Sequence, residues 1–221
     1  MKTLRKLYRL SLIVFVIIVF TSCVKDNDLA KNADGCWYYS YIETYDDGTK
    51  AETTVYINLI YEENTNGGRF LESTQSSTIY ENEDELTFEI PYSVTITGKW
   101  EINEGDMCQH YDMSTLNVNA YVDEMKISVD NTYEASMAKM ILSVYGDDFT
   151  KLLYAKVADE FNKDMFKEYF HLFKKNNVDN ACYTNVGING STLVFDVDDL
   201  GRTKCKKLEE ETEVPGTEFL Y

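Results

Sequence analysis

The chain is poor in the residues on which much enzyme and cofactor chemistry depends. Its 221 residues include two histidines, two tryptophans and two prolines. So few histidines leave little general base to activate a nucleophilic serine or cysteine. The sequence has no phosphate-binding loop, no G-x-S-x-G motif and no C-x-x-C pair, so the usual signs of nucleotide-binding enzymes, serine hydrolases and zinc ribbons are missing. We therefore expect no catalytic residues, no metal site and no cofactor.

Positive charge is also scarce. The chain has 21 lysines and arginines against 38 aspartates and glutamates, a formal net charge of -17. Removing residues 1–22 deletes four basic residues and no acidic ones, which lowers the charge to -21. A chain this acidic repels phosphate backbones, so we expect no nucleic-acid partner. An apolar content of 44% with 17 tyrosines argues against disorder and favours a β-rich domain.

Long hydrophobic runs are missing except near the start of the chain. Four basic residues lie within residues 1–9, and the apolar run Leu10–Phe20 follows. This run is shorter than the about 20 residues that a transmembrane helix needs, and the pattern is typical of a secretory signal. The sequence Thr-Ser-Cys that ends at Cys23 resembles a bacterial lipobox, with Phe20 where leucine is usual. The resemblance implies that residues 1–22 are a lipoprotein signal peptide and that Cys23 becomes lipidated and attached to the bilayer.

The segment after Cys23 is acidic and polar. Val24–Asp28 resembles the export signal of surface lipoproteins in Bacteroides-type bacteria, although Asn27 interrupts its acidic run. The resemblance implies an outer-membrane location with exposure at the cell surface. A plain solvated tether explains the same residues equally well, so the choice between surface and periplasmic face stays open. In both cases we expect residues 23–34 to form a tether.

Residues 35–130 alternate between apolar and polar side chains, which is typical of β-strands with one buried face. The clearest run has apolar residues at every even position from 86 to 96. Turn sequences rich in Asp, Asn and Gly separate it from earlier strands that include Trp37, Thr53 and Arg69. Further short strands are predicted near residues 108–112, 116–122 and 125–129.

The pattern changes after residue 130. Asn131 begins a capping-box sequence, and apolar residues then recur at helical spacing as far as Gly146. A second helix is predicted over residues 147–175, and its apolar stripe should pack on the outside or across one end of the β structure. The stripe comprises Phe149, Leu153, Val157, Phe161 and Phe170. Strands return near residues 183–188, 192–197 and 203–208, the first two joined by a two-residue turn at Asn189-Gly190.

This order predicts one mainly β domain, residues 35–221, with a helical segment at 131–175. Roughly eight to ten antiparallel strands favour an up-and-down β-barrel, with a β-sandwich as the alternative. Gly35-Cys36-Trp37 resembles the Gly-x-Trp sequence at the start of lipocalins. Gly98-Lys99-Trp100-Glu101-Ile102 resembles a strand of lipocalin-like lipoproteins from Bacteroides-type bacteria. The resemblance implies a barrel with a cavity for a small apolar molecule, and it carries over no catalytic residues.

Four cysteines remain after Cys23, and an oxidising cell envelope permits disulfides. Four cysteines allow three pairings, and free buried thiols are an equally open alternative. If a disulfide forms, we expect Cys182–Cys205, because both residues flank the closing strands.

Two groups of side chains contain residue types that bind metal ions. Cys108, His110 and Asp112 share one face of a strand and form half a site, but no second group of ligands accompanies them. Asp196-Val197-Asp198-Asp199 begins like a calcium loop, but Leu200 and Lys207 occupy positions where oxygen ligands are needed. Neither group predicts a metal.

Two functions are consistent with this fold. The first is a non-catalytic binding module that holds a small apolar or amphipathic ligand in the barrel, lined by Leu86, Phe88, Ile90 and Tyr92. The second is an interaction or structural lipoprotein whose barrel is filled and whose surface contacts a protein or glycan partner. Interior residue size separates them, since the side chains of an eight-stranded barrel nearly fill it. The oligomeric state stays open.

Overall fold

The chain folds as a β-barrel with a helical insertion in a computed structural model that describes residues 26–44, 50–81, 87–127, 134–175, 180–197 and 201–208. The strands are β1 Gly35–Thr44, β2 Lys50–Tyr61, β3 Gly67–Glu81, β4 Thr87–Asn103, β5 Asp106–Ala120, β6 Lys126–Ile127, β7 Asn180–Asn189, β8 Thr192–Val197 and β9 Gly201–Lys207. The helices are α1 over residues 26–33, α2 Glu134–Tyr145 and α3 Asp147–Lys175, and Val122–Glu124 form a 3-10 turn. The predicted signal peptide, Cys23, Leu86 and Asn131 lie outside the described residues.

Eight of the strands form a closed antiparallel sheet. Pairing runs in chain order from β1 to β5, continues through β7, β8 and β9, and returns from β9 to β1. The two-residue strand β6 pairs with the start of β4, beyond the end of β5. The predicted up-and-down barrel and its helical insertion between β5 and β7 are confirmed, and the sandwich alternative is wrong.

Alternation along β4 fills the barrel interior from end to end. Phe88, Ile90 and Tyr92 are buried as predicted, at 0%, 0% and 4% exposure, and belong to one apolar cluster. Trp100 and Ile102, further along the same strand, belong to a second cluster. The two clusters therefore lie towards opposite ends of the barrel. We call the first the α3-end cluster and the second the α1-end cluster, after the helix that packs on each.

Helix α1 closes one end of the barrel, whereas the sequence predicted a tether there. Ala30 and Ala33 are fully buried in the α1-end cluster, and the Ala33 carbonyl accepts a hydrogen bond from Trp37 Nε1 at 2.7 Å. Asp26 is also buried, and its Oδ2 accepts from the backbone N–H of Glu104 at 3.0 Å. The tether prediction is wrong over residues 26–33, because two alanines at helical spacing present a face small enough to fit the barrel mouth.

Helix α3 closes the opposite end, but with only part of its predicted stripe. Val157 and Phe161 are fully buried in the α3-end cluster and Leu153 packs against it. Phe149 and Phe170 are instead 42% and 41% exposed, so the prediction is wrong for these two. Among the described residues, no helix combines the length and apolarity needed to cross a membrane.

The disulfide joins Cys108 to Cys182, not Cys182 to Cys205. Cys108 and Cys182 are direct partners in the β5–β7 register, so their side chains lie on the same face of the sheet. Cys205 is a fully buried free thiol in the α1-end cluster, inside the barrel. The predicted pair is wrong because its members lie on opposite faces of the wall.

Candidate functional site

The barrel wall is interrupted where β4 meets β5. Thr95 pairs with Asn117 and Thr97 with Asp112, so residues 113–116 of β5 stand opposite the single Ile96. This irregularity is a large β-bulge, which leaves extra residues out of the ladder and bends the strand.

Side-chain hydrogen bonds hold the bulge in place. Asp112 Oδ1 accepts from the backbone N–H of Ser114 at 3.0 Å and from its hydroxyl at 2.6 Å. These bonds hold the pKa of the Asp112 carboxyl below its usual value. Thr115 Oγ1 donates to the Asp112 carbonyl at 2.7 Å and accepts from the backbone N–H of Thr97 at 2.9 Å. The hydroxyl of Thr115 thus replaces a lost ladder partner, and the bulge has a defined shape.

A groove of about 880 Å³ opens beside the bulge, and we call it the bulge groove. It is lined by Asn58 and Ile60 of β2 and by residues 69–71 of β3, 97–99 of β4 and 110–113 of β5. Its volume is within the range of small-molecule sites, about 300–1,000 Å³.

The floor of the groove includes residues that also pack inside the barrel. Phe70 and Tyr111 line the groove and pack on the interior clusters, their rings in edge contact with centroids 5.5 Å apart. Gly98 lies between them, paired with both in the sheet. A Cβ at Gly98 would lie 2.7 Å from the Phe70 ring and would also clash with the His110 carbonyl. Glycine at this position therefore permits the close approach of β3, β4 and β5.

Behind this floor lies a group of polar side chains that we call the interior polar cluster. Its members are Tyr39, Glu72, Gln109, Tyr111 and Tyr183. Gln109 is fully buried, and its Oε1 accepts from the Tyr183 hydroxyl at 2.9 Å and from the Tyr111 hydroxyl at 3.4 Å. Its Nε2 is buried without a hydrogen-bond partner among the described residues. The cluster therefore offers an unused donor inside the barrel.

Glu72 is the charged member of the cluster. It pairs in the sheet with Ile57 and Ile96, both buried in the interior, so its side chain also points inward. The residue as a whole keeps some exposure, but its Oε2 has none and makes no hydrogen bond within the described part of the chain. Burial raises the pKa of the Glu72 carboxyl to about 7. A buried carboxyl without a partner is costly, so the site favours its neutral form.

The three tyrosines of the cluster share the barrel interior with this carboxyl. Burial, and after it the negative charge of Glu72, raises the pKa of Tyr39, Tyr111 and Tyr183 above the ordinary value. These tyrosines come from β1, β5 and β7, so the charge of Glu72 affects the pKa of residues on three different strands. Tyr111 belongs to both the cluster and the groove floor, and it connects the two.

Cys108, His110 and Asp112, the group of candidate ligands on β5 for which no metal was predicted, all have other partners in the structure. Cys108 forms the disulfide with Cys182, so its sulfur is not a free thiolate ligand. His110 Nδ1 lies 2.5 Å from Asn180 Oδ1 and its Nε2 lies 3.5 Å from Glu101 Oε1. Within the described ranges, no group of three or more His, Cys, Asp or Glu side chains is arranged to hold a metal ion.

The two free thiols are poorly suited to nucleophilic chemistry. Burial raises the pKa of the Cys36 thiol to about 11 and that of Cys205 to about 12. Thiolate is the reactive form of cysteine, and at neutral pH these residues hold almost none of it.

Of the predicted ligand-lining residues, Phe88, Ile90 and Tyr92 are interior but lie in the α3-end cluster, where α3 covers them. Sequence reasoning missed Glu72, Gln109 and Tyr111. The odd positions 109 and 111 alternate with the candidate ligands at 108, 110 and 112, so their shared inward face could have been inferred from strand parity.

No protein-family model matches the chain, and no curated protein is significantly similar to it.

Proposed function

We propose that the protein is a lipid-anchored, non-catalytic binding module of the bacterial outer membrane, with a lipocalin-like barrel that takes a small amphipathic ligand. The bulge groove receives the apolar part of the ligand, and the interior polar cluster receives its polar end. The observation that carries the proposal is that Tyr111 connects the groove to buried polar atoms for which the described part of the chain provides no hydrogen-bond partner.

Two further observations support binding over catalysis. The half-buried thiol of Cys36 and the buried thiol of Cys205 have raised pKa values and are held protonated. His110, on the outer face of β5, is engaged by Asn180 and Glu101 and lies apart from Glu72 in the interior. The site offers hydrogen bonds and aromatic surface, which are the means by which small-molecule pockets orient a ligand.

The groove can be tested with a matched pair of substitutions. Ile60 lines the groove and is 43% exposed, while Ile79 is 44% exposed on β3 outside it. We expect the full chain to bind the neutral fluorescent probe N-phenyl-1-naphthylamine, and Ile60→Trp to weaken binding by about tenfold by filling the groove. Ile79→Trp should leave the affinity unchanged. If the two substitutions weaken binding equally, the groove is not the binding site. If the wild type binds no probe, the proposed binding function is wrong.

Lipid attachment is tested independently at Cys23. Cells that express the chain and are fed a clickable palmitate analogue should label the wild type, because the Thr-Ser-Cys sequence resembles a lipobox. We expect labelling to disappear in Cys23→Ala and to persist in Cys36→Ala. Labelling that survives in Cys23→Ala would contradict the anchor.

A second candidate is the interaction lipoprotein, in which a protein or glycan partner binds the outside. Helices α2 and α3 expose large apolar side chains: Met137, Met140, Val144, Tyr145, Phe149 and Leu152. Exposed apolar patches of this kind often mark interaction sites. Cys23 precedes α1 by three residues, so an anchor there would hold the α1 end within about 11 Å of the bilayer. The α2–α3 surface would then point away from the lipid, towards a protein partner.

A further inference from the structure

The interior polar cluster contains an ionisable carboxyl that has no counter-ion among the described residues. In the described residues, Glu72 takes part in no ion pair, and its buried Oε2 accepts no hydrogen bond. Buried carboxyl groups in proteins are rare unless they are paired with a cation or belong to a functional site. A neutral glutamine would fit the same space without the electrostatic penalty.

Three tyrosine rings share the barrel interior with the carboxyl. Tyr39, Tyr111 and Tyr183 all lie within range of its charge. Tyr39 also stacks on Tyr41 with ring centroids 6.2 Å apart, and Tyr183 lies 4.7 Å from the Phe195 ring. Aromatic faces attract cations through their quadrupole, most strongly where water is excluded.

We infer that the interior polar cluster binds the ammonium group of a small organic cation, with Glu72 as its counter-ion and the tyrosine rings around it. The inference rests on the proposed function, since it names the ligand class of the same site. Ionised Glu72 would repel an anionic ligand. A neutral ligand would leave the ionised carboxyl without a counter-ion. Trp100 pairs with Gln109 across β4 and β5, and within the described ranges Trp100 Nε1 and Gln109 Nε2 have no hydrogen-bond partner. Both are donors for an oxygen acceptor on the same ligand.

The pH dependence of binding follows from the groups that face Glu72. Tyr39, Tyr111 and Tyr183 have raised pKa values, and the pKa of Cys205, which faces the same interior, is about 12. These four groups stay uncharged at neutral pH. The direct strand neighbours of Glu72, Ile57 and Ile96, do not titrate. Glu72 is therefore the group of this cluster that changes charge near pH 7, and a cation should bind more tightly as the pH rises through the Glu72 pKa of about 7.

Two probes of matched shape test the inference on the full chain in a non-ionic detergent. Phenethylammonium carries the charge, and phenethyl alcohol is its neutral counterpart. Isothermal titration calorimetry at about pH 8 should show at least about tenfold tighter binding of the cation. The preference should shrink at about pH 5, where Glu72 is protonated. Glu72→Gln should abolish the preference while phenethyl alcohol still binds, and the exposed-site control Glu52→Gln should keep it.

The outcomes separate this inference from the proposed function. If the wild type binds both probes equally, or if Glu72→Gln keeps the preference, the cation inference is wrong and the binding module stands. If the wild type binds neither phenethyl probe nor N-phenyl-1-naphthylamine, both proposals are wrong. The comparison of the two probes in the wild type needs no variant, so it decides the question even if Glu72→Gln does not fold.

Discussion

Phe161→Ala should lower the free energy of unfolding by about 3–5 kcal/mol, the usual cost of truncating a fully buried phenylalanine. Phe161 has 0% exposure, and its ring makes edge contacts with Tyr80 and Tyr92 at centroid distances of 5.4 and 5.3 Å. Tyr80 lies on β3 and Tyr92 on β4, so truncation of Phe161 opens a cavity between the helix and the barrel. Urea denaturation followed by circular dichroism measures the change.

Phe166→Ala is the matched control, because it makes the same truncation on the exposed side of α3. Phe166 is 38% exposed, and we expect its loss to cost less than about 1 kcal/mol. If Phe161→Ala leaves the urea midpoint unchanged, α3 is a mobile arm and not part of the core. The apolar surface of α2 and α3 would then become the leading candidate for function.

Local patterns in the sequence were sufficient to predict the barrel and its long helices. The strand from Phe88 to Ile96 has apolar residues at every second position. Helix α2 ends at Tyr145, and the next residue, Gly146, has a φ of +84°, which glycine adopts readily at the end of a helix. The strand now called β5 was predicted as two short strands separated near residues 113–115. That break is the bulge, so its place was predicted although its nature was not.

Features that depend on distant parts of the chain were not predictable in this way. The Cys108–Cys182 disulfide requires β5 and β7 to be neighbours across the helical insertion, although the two cysteines are 74 positions apart in the sequence. Helix α1 is short and polar, and its two alanines become buried only when the folded barrel provides a surface for them to pack on. Tertiary contacts, and not local propensity, determine such elements.

Glu72 was missed for a different reason. Strand β3 carries Phe70, Glu72 and Thr74 on one face and Leu71, Ser73 and Gln75 on the other. Both faces mix apolar and polar residues, so alternation alone gives no direction for the inner face. Glu72 pairs in the sheet with the interior residues Ile57 and Ile96, and this pairing shows that its side chain points inward. Glu72 is therefore the ionisable residue of the candidate site.

At about pH 8, Glu72→Gln should have a larger free energy of unfolding than the wild type. The difference between variant and wild type should be up to about 3 kcal/mol greater at about pH 8 than near pH 4.5. The carboxyl has a pKa of about 7 when folded and 4.5 in its ordinary state. The folded state therefore binds more protons than the unfolded state between these values, and wild-type stability falls as pH rises through this window. Glutamine keeps the shape of the side chain and cannot ionise, so it removes this loss. Urea denaturation of both proteins across the window measures the difference, and Glu52→Gln, at an exposed position on β2, corrects for the change in net charge. If the Glu72→Gln and Glu52→Gln curves have the same pH dependence, Glu72 is not buried as a lone carboxyl, and the cation site loses its counter-ion.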